Sequence, residues 1–211
     1  MGPTVTIPVR RSRSGEPAWE LLDRLPCQGD WTEFDFRRID AAGTELTDGT
    51  IEVLPVPTWV HQTIALILCN LLNALGGSGR AVMSPFKLRV RRGRWREPDV
   101  AYLLPASVPA YFRNDYWEYA DLVIEVVSPD DPDRDYVEKR AAYAEAKVPE
   151  YWIVDPDRAV IVQLVLDGTA YREAGRFGPG QQAASLRVPG FTADVGQLVA
   201  QATAGLPPAA P

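Results

Sequence analysis

The chain has 211 residues, 46% hydrophobic and 24% charged, with a net charge of −6, which suits one soluble domain with a sizeable core. The negative balance argues against a protein that coats nucleic acid non-specifically, and two cysteines with one histidine are too few for a zinc cluster. No apolar run reaches the ~18 residues needed to span a bilayer, so no membrane partner is expected, and two inert thiols fit a reduced, cytoplasmic setting.

Residues 1–16 are rich in Pro, Arg, Ser and Gly and have no periodicity, so they read as a disordered segment. They lack the apolar core of a signal peptide. A loose myristoylation match, Met1-Gly2 with Thr6, is undercut by Pro3 beside the acceptor glycine. A single domain is expected over 17–200 and a flexible tail over 201–211. "PAWELLDRLP" reads as a short helix closed by Pro26, and "TELTDGTIEVLP" as a hairpin turning at Asp48-Gly49. "WVHQTIALILCNLLNALGG" is a helix with Val60, Ile64, Ile67, Leu68, Leu71, Leu72 and Leu75 on its apolar face, stopped by Gly76-Gly77.

"PFKLRVRRGRWREPDVAYLL" reads as strand, turn, strand, with Gly93 at the turn, and "PASVPAYFRNDYWEYA" as a loop or short helix. "DLVIEVV" is β-branched and apolar on both faces, the pattern of a central strand. "DRDYVEKRAAYAEAKV" is a second helix, with Asp133 as its expected cap. "YWIVDP" is a further buried strand, and "AVIVQLVLDGTAYREA" a hairpin turning at Asp167-Gly168. The element order predicts an α/β fold with a mixed sheet flanked by helices.

Three features bear chemistry. Asp99 opens one apolar run and Glu125 lies inside another, between Ile124 and Val126. A charged carboxylate in a dry strand costs several kcal/mol unless it is paired or bound to a cation. Taken singly, each acid has a structural explanation: an arginine partner for Glu125, backbone N–H bonds for Asp99. Taken together, two acids on neighbouring strands can converge, and with the backbone carbonyl of Val126 they form a hard, oxygen-only site that suits Mg²⁺ or Mn²⁺. Lys139 follows one turn into the next helix, on the face of Tyr136 and Tyr143. Alone it reads as a solvated lysine paired with Glu138 or Asp135; beside a metal and two acids it completes a phosphodiesterase constellation. Lys87, Arg89, Arg91, Arg92, Arg94 and Arg96 form a basic ribbon without an acid. It reads either as a protected edge hairpin or as a nucleic-acid-binding ribbon.

The strings "EPDVAYL", "DLVIEVVSPD" and "DRDYVEKRAAYAEAKVPEYWIVDP", with "ELTDGTIEVLPVPTWVHQ" upstream and "LRVPGF" downstream, resemble the Uma family of putative restriction endonucleases, in the PD-(D/E)XK nuclease superfamily. The resemblance spans roughly residues 30–195 and implies a restriction-endonuclease-like core. It implies a bacterial enzyme that hydrolyses DNA with Mg²⁺ or Mn²⁺, with Asp99 and Glu125 as ligands. Val127 stands where the superfamily's usual lysine would be, so Lys139 reads as a migrated lysine. Glu45 and His61 match accessory positions, Glu52 reads as solvent-facing, Lys147 replaces a usual glycine, and "LRVPGF" matches a closing strand. The alternative is a catalytically inactive nuclease fold serving as a nucleic-acid-binding or assembly module. A two-carboxylate glycosidase is a third reading, but gives Lys139 no role. DNA is the expected partner, and a homodimer stays open.

Overall fold

The computed structural model describes residues 25–39, 41–110 and 115–206. The expected N-terminal segment and nearly all of the first short helix lie outside these residues, as does the tail from 207. No helix among the described residues is long and apolar enough to cross a membrane.

Two sheets carry the site. Strands β1 (Thr44–Thr47), β2 (Thr50–Val53), β4 (Lys87–Arg91), β5 (Arg94–Arg96) and β7 (Tyr116–Trp117) form one, in the order β2-β1-β5-β4-β7. The other contains β3 (Arg80–Met83), β6 (Val100–Leu103), β8 (Leu122–Val126), β9 (Glu150–Asp155), β10 (Val160–Asp167) and β11 (Ala170–Phe177), in the order β11-β10-β9-β8-β6-β3. This larger sheet is mixed: β8 and β9 are parallel and the remaining pairs antiparallel. Helix α1 (Glu33–Ile39) packs on the smaller sheet through Phe36 and Trp95, while α2 (Trp59–Ala74) covers one face of the larger sheet.

The segment read as one continuous hairpin region is divided between the sheets. β4 and β5 pair around Gly93, whose φ of 77° suits the turn. The chain then leaves the smaller sheet at Glu97-Pro98 and enters β6 in the larger one. The Glu97 carboxylate, almost wholly buried, fixes this crossing by accepting from Lys87 Nζ, Ser84 Oγ and the Gly43 N–H. Pro98 has no N–H to offer a ladder. Asp99 therefore emerges at the junction of the two sheets.

β8 is buried along its whole length and sits between β6 and β9. Its alternation sends Leu122, Ile124 and Val126 into the core beneath α2, while Val123 and Val127 join a second core with Tyr143 and Tyr151. Glu125 shares the second face. The buried stripe of α2 is Ile64, Ala65, Leu68, Cys69 and Leu72, narrower than expected, since Leu71 and Leu75 are exposed. The Thr58 hydroxyl caps α2 by accepting from the His61 N–H.

After β8 the chain forms a π-helical turn, Arg134–Lys139, which continues as α3 (Arg140–Glu145). Asp133 makes no capping bond, contrary to expectation; its backbone is already helical. Short strands β12 (Ala183–Ala184) and β13 (Thr192–Ala193) and helix α4 (Val195–Thr203), capped by Asp194, complete the core under α2. The "LRVPGF" segment is a loop between β12 and β13 rather than a closing strand. Glu150, buried at the start of β9, ties it down by accepting from Ser185 Oγ and the N–H groups of Leu186 and Arg187.

The end of α3 shows what Lys147 does. The Val148 N–H donates to the Tyr143 carbonyl and the Lys147 N–H to the Ala144 carbonyl, a Schellman cap. Such a cap needs a left-handed residue, and Lys147 has φ 59°. A side chain there costs roughly 1 kcal/mol more than glycine. Lys147→Gly should therefore raise stability by about 0.5–1 kcal/mol after the added chain entropy of glycine, read as a higher urea midpoint, whereas Lys147→Ala should leave the midpoint nearly unchanged.

Candidate active site

At the junction of the sheets, Asp99 and Glu125 are joined through each other's backbone. The Val126 N–H donates to Asp99 Oδ2 at 2.8 Å, and the Asp99 N–H donates to Glu125 Oε2 at 3.2 Å. His61, in the first turn of α2, places Nε2 3.0 Å from Asp99 Oδ2. From the other side the π-helical turn sends Lys139 Nζ to within 2.9 Å of Glu125 Oε2 and 3.1 Å of Asp135 Oδ1. The Tyr143 hydroxyl donates to Glu125 Oε1. Asp99, Glu125 and Lys139 thus meet, drawn from the sheet crossing, the central strand and the following helix.

A cavity of about 460 Å³ opens onto this cluster, lined among others by His61, Asp99, Val126, Arg134, Asp135 and Lys139. Glu125 is fully buried and does not line it. A second cavity of about 420 Å³, beside Trp117 and Tyr119, has one carboxylate, Glu118, among the described residues that line it. It lacks the paired acids that hydrolytic chemistry needs.

The electrostatics follow from burial and crowding. Desolvation, reinforced by the charges of Asp99 and Asp135, pushes the Glu125 carboxyl well above the usual range despite Lys139. Desolvation and Asp99 raise Asp135 as well. Burial also acts to raise Asp99, but the His61 hydrogen bond and the Lys139 charge outweigh it and hold this carboxyl below its usual value. Burial would lower Lys139, but Glu125, Asp135 and Asp99 drive it well above its ordinary value, so it stays charged. For His61 the Asp99 hydrogen bond and charge overcome desolvation and raise the imidazole. Three carboxyls thus share the space with one firmly charged cation and one titratable one.

Of the accessory residues, His61 contacts an acid of the pair. Glu45 does not line the cavity. It is fully buried and engaged by Arg134 Nη2 at 2.6 Å, Arg96 Nη1 at 3.2 Å and the Glu97 N–H at 3.0 Å. Glu52, expected to face solvent, is half-buried and bonded to Arg134 Nη2 at 2.9 Å.

The basic ribbon is occupied within the chain and does not line the cavity. Lys87 pairs with Glu97, Arg89 with Glu33 and Glu118, Arg91 with Asp48 and Glu145, Arg94 with Glu145, and Arg96 with Glu45. Arg92, which is exposed, has no ion-pair partner among the described residues. The ribbon is a seam joining β1, α1 and α3, so a phosphate would have to compete with acids already in place. Arg134 was not foreseen, because its partners lie 89 and 82 residues away. Asp135 was legible only as a surface partner of Lys139, four residues on.

A family model described as "Uma2: Putative restriction endonuclease" matches residues 32–196. The chain belongs to the Uma2 family. A crystal structure titled a putative nuclease belonging to DUF820, from Anabaena variabilis ATCC 29413, superposes with a TM-score of 0.69 at 16% identity, covering 82% of this chain and 99% of that one. No curated protein matches the chain. Family membership and the shared restriction-endonuclease-like fold support a nuclease function.

The His61–Asp99 contact gives a signed pH dependence. Because the folded imidazole is raised above the ordinary value of about 6.5, its contribution to stability is full below that value. It is lost as pH rises through the folded value. In metal-free protein, His61→Gln should cost more stability near pH 6 than near pH 9, measured by denaturant unfolding; an equal cost at both would show that protonation of His61 is not coupled to folding.

Proposed function

We propose that this protein is an Mg²⁺- or Mn²⁺-dependent endonuclease that hydrolyses DNA phosphodiesters. The observation that carries this reading is the convergence of Asp99, Glu125 and Lys139, with Asp135, at a cavity lined by Asp99, Asp135 and Lys139 with Glu125 buried behind them. The residues suit a hard divalent ion in chemistry and charge. The donors are carboxylate oxygens, no thiol is present at the cluster, and the three carboxyls outnumber its cations. Among the described residues no three His, Cys, Asp or Glu side chains form a ready-made cage, so backbone, water and substrate would have to complete the shell around two carboxylates. Asp99, Glu125 and the Val126 carbonyl would hold it. When bound, the ion supplies a Lewis acid and a water of lowered pKa.

The chain's own residues have separate tasks in this scheme. His61 and the Val126 N–H fix the Asp99 carboxylate on its strand end. Tyr143 and the Asp99 N–H orient Glu125. Lys139, already charged and anchored by Asp135, offers N–H bonds to the negative charge that builds up on a phosphate oxygen during attack. The helix thereby delivers an amine that position 127 does not, since Val127 is packed in the apolar core with Tyr143 and Ala144.

That same burial of Val127 favours a second reading, a nuclease fold that has become a binding or assembly module. Metal response and cleavage together separate the two. For the enzyme, saturating Mn²⁺ at 100 times its dissociation constant should add about 2.7 kcal/mol of stability, seen as a raised thermal midpoint, and supercoiled plasmid should be nicked. Asp99→Asn should lose most of the midpoint shift and the nicking. Lys139→Met should keep the shift while nicking falls by about 10²-fold or more. Wild-type protein with neither shift nor nicking would favour the binding module.

A further inference from the structure

Among the described residues, the cations lining the central cavity are His61, Lys139 and Arg134. His61 is bonded to Asp99, and Lys139 to Glu125 and Asp135. Arg134 alone has no contact with the acid pair. It opens the π-helical turn and reaches across to the β1–β2 hairpin, and both of its ion pairs run through a single nitrogen. Nη2 lies 2.6 Å from Glu45 Oε2 and 2.9 Å from Glu52 Oε2. The Nε is buried and has no acceptor. A guanidinium carries five N–H donors in a planar fork made for two-point contact with a carboxylate or phosphate. Here the fork is used at one prong.

The two acids do not need Arg134 equally. Glu45 keeps Arg96 and the Glu97 N–H if the guanidinium turns away. Glu52 sits on β2, an edge strand of the smaller sheet, with its side chain 29% exposed, so water can solvate it on release. Glu45 and Glu52 are also direct cross-strand neighbours, an arrangement of like charges that is unfavourable without a cation. The incoming group must therefore be an anion able to replace Glu52 with a better, two-point contact.

We propose that Arg134 is a phosphate-binding residue of the cleft, and that Glu52 holds its guanidinium in place until a substrate phosphate displaces the carboxylate. This rests on the nuclease reading and adds the residue that meets the DNA backbone, a role the basic ribbon is poorly placed to fill. Glu52 is then a competitor for the substrate. Its removal should strengthen binding, whereas loss of a purely structural ion pair would only weaken the fold.

The test is binding of a labelled DNA duplex across a salt series, with Ca²⁺ as the oxygen-preferring ion, for wild type, Arg134→Gln, Glu52→Gln and the double variant. Arg134→Gln should weaken binding about tenfold and reduce the slope of log affinity against log salt by about one phosphate contact. Glu52→Gln, which keeps the shape of a half-exposed strand residue, should tighten binding severalfold, and that gain should vanish in the Arg134→Gln background. A gain that persists there reflects general charge and overturns the proposal. So does a Glu52→Gln protein with a lower thermal midpoint and unchanged binding. Wild-type binding that is indifferent to both substitutions sinks the assignment of Arg134 and spares the nuclease reading. Absence of wild-type binding at every salt concentration sinks both.

Discussion

The Lys139 amine lies 2.9 Å from Glu125 and 3.1 Å from Asp135, and much of the surrounding architecture serves to keep that buried charge compensated. A charged acid inside the central strand is tenable only if a cation reaches it without water. The cation cannot come from β8 itself, whose other residues are all apolar and fill the two cores. It comes from the following helix, which must therefore pack against the sheet face that carries Glu125. Tyr143, Ala144 and Val148 make that contact apolar and dry. The charge pair and the packing of α3 are thus one requirement.

What could be read from the sequence, and what could not, divides along the same line. Asp99 and Glu125 stood out because an acid in an apolar strand violates a local rule, and local violations are visible in one dimension. The β1–β2 hairpin, α2, β8 and the β10–β11 hairpin were visible for the opposite reason, as pattern and turn chemistry agreed. The division of the β4–β6 region between two sheets was not visible. It depends on Glu97 meeting Gly43 and Lys87, and pairing preferences within the segment carry no trace of that. α4 and the short strands β3, β7, β12 and β13 give too little periodicity to stand apart from loops.

The basic ribbon shows the limit most clearly. Six cations in ten residues invite a partner from outside, and the sequence alone cannot say that the acids come from inside. Glu33, Glu45, Asp48, Glu118 and Glu145 converge on it from distant parts of the chain, and Glu97 from its own end. A cluster of like charges in sequence is only half of an electrostatic statement, and the fold supplies the other half.

The π-helical turn bears on how this chain can vary. In an α-helix each residue rotates the chain by about 100°; a π-helical turn accommodates one additional residue without breaking the helix. Arg134, Asp135 and Lys139 all line the cavity from this one turn, while Val137 and Glu138 between them are exposed. Loss of a single residue here would reset the winding and carry either the amine or the guanidinium around the helix axis, away from the cleft. Drift in side-chain identity at the exposed positions costs little, but drift in residue count does not. Insertions and deletions, usually the tolerated currency of loops, are closed to this stretch.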